Sequence, residues 1–391
     1  MTAAAGEDRD PTRGGAPPER VSNSLGQLLV VRLEESRWTG PFERLLCRHR
    51  PGGAFLQNFR SAESTAELLA KISRTLEAPP LLWLEEEGGK DGPLGAFLPP
   101  LPSLRTAAER GPSAVARLGE LIGSAMKLLG FNTNCAPTLD LDSPSEQNVA
   151  ARAFTSDPRE VARCGEAFIH GLRRRRIHAC GKHFPGLATL QAGPTASLPV
   201  VRKPMAQLWH EDLLPYRELL PQLPLVLVSH AAYKAYDFDV PYAAAHSTNI
   251  LEGLLRVKLR YEGLAVADVA RAEDAQEALD LGEKAVRCVK AGCDLLLVEG
   301  RETSVESALA ALRKAIDAGR LSAERLERSL KRIRLLRKSL APPSGKFAKN
   351  ALDQLARQFE DFSRGMNLND CEHGPRSNNG ARHQSGEPQI A

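Results

Sequence analysis

The sequence predicts an α/β chain folded as a single (β/α)8, TIM-barrel-like domain between two polar tails. Three observations predict it: short apolar runs recur eight times, helical patterns lie between them, and four of the runs end in an ionisable residue. Runs this apolar suit parallel strands covered on both faces, because a strand with one wet face would alternate. Ionisable groups that end such strands belong at a rim, since an isolated buried charge is very costly. Eight units in the middle of 391 residues fit the size of a closed barrel. An open doubly wound sheet is the alternative, weakened by the lack of a G-x-G-x-x-G turn after the first strand.

Along the chain, MTAAAGEDRDPTRGGAPPER is polar and rich in Pro and Gly, so residues 1–24 are expected to be disordered. That stretch lacks the apolar core of a signal peptide, and no later run approaches the roughly 18 apolar residues of a membrane span. A cytoplasmic protein is therefore expected. The strand-like runs are LLVVRL (28–33), GAFLQ (53–57), PLLWLE (80–85), NCAPTLDL (134–141), ACGKHF (179–184), LVLVSH (225–230), GLAVAD (263–268) and GCDLLLVE (292–299). Between the fourth and fifth, TSDPREVARCGEAFIHGL sets Asp157 as a helix N-cap and Pro158 at the first helical position. The segment 322–340 carries Leu326, Leu330, Ile333 and Leu336 on one helical face and stops before Pro342. The barrel is expected over 25–341 and a tail over 342–391, with a short helix at 347–364 whose Leu352, Leu355, Phe359 and Phe362 have helical spacing.

Composition narrows the function classes. A net charge of +4 is small for this length and argues against nucleic acid or an anionic membrane as partner. The run Arg173–Arg176 reads as the solvated C-terminal end of a helix, where cations complement the dipole. Seven cysteines without C-x-x-C spacing read as small core residues in a reducing compartment, with no metal expected.

The polar strand ends are Glu85, then Asp140 and Asp142, then Lys182 and His183, then His230, Asp268 and Glu299. Each alone could be a helix cap or a satisfied hydrogen-bonding residue. In a closed parallel barrel, however, they converge on the C-terminal mouth, where such barrels build their active sites.

The segments LEEEGGK (84–90), NCAPTLDL with NVAARAFTSDP (148–158), GKHFPG (181–186), VSHAAY (228–233), the run 250–268 and AGCDLLLV (291–298) carry a resemblance. In order and spacing the chain resembles the N-terminal barrel of glycoside hydrolase family three over roughly residues 25–340, and within it the single-domain bacterial β-N-acetylglucosaminidases. The resemblance implies a retaining hydrolase of β-linked N-acetylhexosamine, with Asp268 as the nucleophile that forms a glycosyl-enzyme intermediate. It implies that Lys182, His183 and Arg152 hold sugar hydroxyls and that His230 lines the pocket. Glu85 stands where the family's D-x-E-G-G motif begins with Asp, so the charge is kept on an arm one methylene longer, and Val269 stands where a second acid is frequent. The ligand implied is a sugar or a muropeptide-like fragment, with no cofactor.

The loop after K-H-F-P-G departs from the family pattern H-G-x-T-x-x-D-S-H, whose Asp-His dyad supplies the general acid/base. By direct alignment the dyad positions are Gly193 and Thr195, and the first loop His is Leu187. Neither Gly nor Thr delivers a proton at neutral pH as an imidazole does, and a positioned acid/base contributes typically about 10²–10⁴ in rate. Glu86, Glu87 and His246 are the candidate substitutes. Two further readings follow: a catalytically degenerate sugar-binding barrel, and a purely structural barrel in which Lys182 and Arg152 are paired with carboxylates and closed off from solvent.

Overall fold

The computed structural model describes residues 24–76, 78–142, 152–187, 190–191, 198–273, 279–340 and 347–366. The two tails, apart from 347–366, and the dyad positions 193 and 195 lie outside the described residues. Among those described, the strands in chain order are β1 (Leu29–Glu34), β2 (Gly53–Gln57), β3 (Leu81–Leu84), β4 (Thr133–Asn134), β5 (His178–Phe184), β6 (Leu190–Gln191), β7 (Val200–Val201), β8 (Leu225–Val228), β9 (Ala232–Tyr233), β10 (Leu264–Asp268) and β11 (Leu295–Glu299). Eight of them close a parallel barrel in the order β1-β11-β10-β8-β5-β4-β3-β2.

Closure follows from the apolar runs. Leu81–Leu84 and Leu225–Val228 are buried at every position, as expected for strands with helices outside and packed side chains inside. Each fully buried Leu or Val stabilises the fold by about 1.5–3 kcal/mol relative to exposure. Closure sets the first strand beside the last, with Val30 opposite Leu297 and Arg32 opposite Glu299.

The fourth strand is shorter than its apolar run suggests, because Pro137 has no N–H for a ladder. The segment still lies along β5: Cys180 N donates to the Ala136 carbonyl at 3.0 Å, Lys182 N to that of Pro137 at 3.1 Å, and Leu139 N to that of Lys182 at 2.7 Å. A small outer sheet, which the sequence pattern does not reveal, joins β6 antiparallel to β7 and β7 parallel to β9. Two-residue strands are too short to show a period.

The helix Pro158–Arg174 starts with Asp157 as its N-cap, the carboxylate accepting from Arg159 N. At the C-terminal side the helix Lys349–Gly365 packs on the helix Pro112–Leu129, burying Leu355 and Phe359. Among the described residues no helix is long and apolar enough to cross a membrane.

Candidate active site

β10 is apolar until Asp268, which ends it at the mouth with its side chain 10% exposed. Arg32 reaches it from β1, Nη1 donating to Oδ1 at 3.0 Å and Nη2 to Oδ2 at 2.9 Å. Fork-to-fork pairing of this kind fixes orientation as well as charge. Burial disfavours the Arg32 cation, but the charge and hydrogen bonds of Asp268 outweigh it and hold the guanidinium above its ordinary range. Glu299 also approaches Arg32, with Oε1 3.7 Å from Nη1. Sequence reasoning missed Arg32; the signal that could have found it was a lone cation inside an apolar strand, LVVRLE.

A second cluster lies across the mouth. Glu85 leaves the end of β3 and accepts from Lys182 Nζ at 2.9 Å and from Arg152 Nη2. Glu87 accepts from Arg152 Nε at 2.9 Å and from Thr138 N at 2.6 Å, and lies 3.3 Å from Lys182 Nζ. Burial pushes both carboxyls upward, but the Lys182 and Arg152 charges outweigh it and hold them below the usual carboxylate range. Lys182 also donates to the Cys135 carbonyl at 2.6 Å and its side chain is 1% exposed, so its three donors all meet protein atoms. Arg152, paired with the same two carboxylates, is 42% exposed and faces the cavity. The closed-off, paired state that would mark a purely structural barrel therefore holds for Lys182 and not for Arg152.

The third group joins β5 to the segment after β4. Asp140 is fully buried and accepts from His183 Nδ1 at 2.7 Å, from His183 N at 3.2 Å and from Leu187 N at 2.9 Å. The imidazole is thereby oriented by a carboxylate on one nitrogen. His230 stands edge-on to it, ring centres 6.4 Å apart, and burial, then the His183 and Arg271 charges, push its pKa down to about 4.

Backbone chemistry shapes the two loops that carry these groups. Gly88 has φ +76°, and a Cβ there would come within 2.2 Å of the Pro102 carbonyl oxygen. Gly186 has φ +117°, with a Cβ 2.6 Å from that of Asp212. The glycines of E-E-E-G-G and K-H-F-P-G thus allow conformations that side chains resist. Glu86 closes the first loop on itself, accepting from Gly88 N at 2.6 Å and Leu94 N at 2.8 Å. Its burial pushes the carboxyl up to about 7, against those two hydrogen bonds.

Glu85, Arg152, His183, His230 and Asp268 all line one cavity of about 340 Å³, with Arg32 and Glu299 in its walls. Lys182 does not line it. Of the proposed acid substitutes, Glu86 and His246 line neither this cavity nor the larger neighbouring groove, and Glu87 lines only the groove. Leu187 is buried, its N–H on Asp140. The described residues contain no cluster of His, Cys, Asp or Glu arranged to hold a metal.

Comparison with known proteins agrees with this architecture. Residues 20–336 match the glycosyl hydrolase family 3 N-terminal domain. A β-hexosaminidase of Pseudomonas aeruginosa is 30% identical over 283 residues, 71% of this chain and 84% of its own length. Another, of Methylococcus capsulatus, is 30% identical over 326 residues, 81% of this chain and 94% of its own. The solved structure of a glycoside hydrolase family 3 β-N-acetylglucosaminidase from Paenibacillus sp. str. FPU-7 superposes with a TM-score of 0.77 at 27% identity, covering 88% of this chain and 68% of that one. The chain is a β-hexosaminidase-like barrel and belongs to glycosyl hydrolase family 3.

Proposed function

We propose that the chain hydrolyses terminal β-linked N-acetylhexosamine with retention of configuration, Asp268 being the nucleophile. One observation carries the reading: the Asp268 carboxylate opens onto a polar cavity whose walls also hold His183, His230, Arg152 and Glu85. A nucleophilic carboxylate must be fixed and within reach of the anomeric carbon. Arg32 fixes it, the exposed Arg271 brings Nε to 3.6 Å from Oδ2, and Oδ1 keeps a lone pair beyond the one Arg32 uses. In this reading His183, oriented by Asp140, and the exposed edges of Arg152 and Glu85 receive sugar hydroxyls. Lys182 is a support for Glu85 rather than a ligand contact. His230 is neutral at pH 7 and offers a hydrogen bond without charge. Carboxylates, a proton donor and water suffice for the reaction.

A second reading, a sugar-binding barrel without turnover, is favoured by Gly193 and Thr195 and by the hold of Arg32 on both Asp268 oxygens. Turnover of aryl β-N-acetylglucosaminides and β-glucosides by the wild-type chain beside Asp268→Ala separates the two. The hydrolase reading expects release of activated phenols by the wild type and a loss of at least about 10³-fold in the variant. Sugar binding by calorimetry with no release of any phenol would establish the binding module instead.

A further inference from the structure

We infer that Glu299 is the general acid and base of this site, standing in for the loop dyad whose positions are Gly193 and Thr195. The inference rests on the hydrolase reading above. A proton donor must share the cavity with Asp268, stand near it and be free to exchange a proton. Glu85 is held ionised by Lys182 and Arg152, and Asp140 is enclosed against His183. Glu86 is turned into its own loop, and Glu87 is ion-paired outside the cavity. His230 is uncharged at neutral pH and has no proton of an imidazolium to give. His183 stands on β5, two strands from β10, and its Nδ1 is engaged by Asp140. Among the described residues Glu299 remains: it lines the cavity, its side chain is 42% exposed, and its ion pair with Arg32 is long at 3.7 Å.

Position supports the role. Glu299 ends β11, the strand next to β10, and Asp268 is in register with Leu297. Glu299, two residues beyond Leu297, therefore faces the same side one step further out along the barrel, toward the open mouth. Asp268 Oδ1 and Glu299 Oε1 lie 3.0 and 3.7 Å from the same nitrogen, Arg32 Nη1, and cannot be further apart than those two distances together. That upper limit admits the about 5–5.5 Å of retaining carboxylate pairs and excludes all but the short end of the about 6.5–9.5 Å of inverting ones.

In the first step an Asp268 oxygen forms a bond to the anomeric carbon while the glycosidic C–O bond breaks. The electron pair goes to the departing oxygen, which takes the Glu299 proton and leaves as an alcohol. In the second step the Glu299 carboxylate takes a proton from water as the water oxygen attacks the same carbon and Asp268 leaves as carboxylate. Both enzyme groups return to their starting states. Arg32 couples the steps: once Asp268 is esterified it carries no charge, and the guanidinium is left facing Glu299, the carboxylate the second step needs.

The test compares the full chain with Glu299→Gln and Glu299→Ala on dinitrophenyl and phenyl β-N-acetylglucosaminides, with and without sodium azide. Urea midpoints check that the variants are folded, which a half-exposed side chain at a strand end permits. Glu299→Gln is expected to lose about 10²–10⁴-fold in kcat/KM on the phenyl glycoside and under about tenfold on the dinitrophenyl one. Azide is expected to restore Glu299→Ala on the dinitrophenyl substrate and yield the β-glycosyl azide. An equal effect on both leaving groups without azide rescue, while Asp268→Ala stays inactive, would overturn the role of Glu299 and leave the hydrolase reading standing. An inactive wild type would remove both.

Discussion

Two aspartates at opposite ends of neighbouring strands are both held by arginines, and they differ in access. Asp294, just before β11, is wholly buried and accepts from Arg256 Nη2 at 2.6 Å, Ser329 Oγ at 2.6 Å, Arg332 Nη1 at 3.2 Å and Ala265 N at 3.1 Å. Burial opposes its charge, but Arg256, Arg325 and Arg332 overcome it and hold the carboxyl below its ordinary range. Asp268, at the other end of β10, has a comparable arginine fork and opens onto a cavity. The comparison teaches that ion pairing alone does not mark a site. What separates the clasp from the candidate nucleophile is access: one carboxylate has every neighbour supplied by protein, the other has one face toward space that a ligand can fill.

The sharpest way to break that contrast is to remove each charge in turn. Asp294→Asn leaves Arg256, Arg325 and Arg332 without their shared anion and is expected to cost about 3–5 kcal/mol in urea unfolding. Asp268→Asn leaves Arg32 with Glu299 and the exposed Arg271 with water, and is expected to cost less, about 1.5–3 kcal/mol. Equal losses would mean that Asp268 is a structural clasp as well. The sign with pH follows from the lowered pKa of Asp294. Its contribution is present above the unfolded value of about 3.9 and is lost as pH falls through the folded one, so the Asn variant and wild type should converge in acid.

A middle-sized effect belongs to Glu86, which has burial without a cation. Its folded pKa of about 7 exceeds the unfolded glutamate value of about 4.3, so stability is greatest below pH 4 and falls as pH rises to about 7. The expected fall is about 4 kcal/mol, since stability changes by about 1.4 kcal/mol for each pH step between the two values, and it should be absent in Glu86→Gln. A flat wild-type profile would show that the two backbone donors stabilise the carboxylate as fully as cations do elsewhere in the mouth. The smallest effect concerns backbone alone. Gly186→Ala meets Asp212 at φ +117° and is expected to cost about 1–3 kcal/mol, with the His183 region loosened and turnover reduced. Unchanged unfolding and turnover would show that the K-H-F-P-G loop shifts freely and does not hold His183 in place.

The sequence by itself determined the barrel and the level at which the chemistry stands. Apolar runs such as Leu81–Leu84, alternating with helical patterns, suit strands covered on both faces, and an ionisable residue at the end of such a run belongs at the rim unless it is paired, so Glu85, His183, His230, Asp268 and Glu299 were legible one by one. These are local properties, set by period and by the cost of burying charge. Only the tertiary structure decided which charges meet. Arg32 and Asp268 are 236 residues apart and become partners because closure sets the first strand beside the last. Lys182, legible as a rim cation, is turned inward by Glu85, Glu87 and the Cys135 carbonyl, and Arg152, which shares only the two carboxylates, is not. Ion pairing falls steeply with distance, and those distances are set by strand register and loop path, which no local pattern encodes.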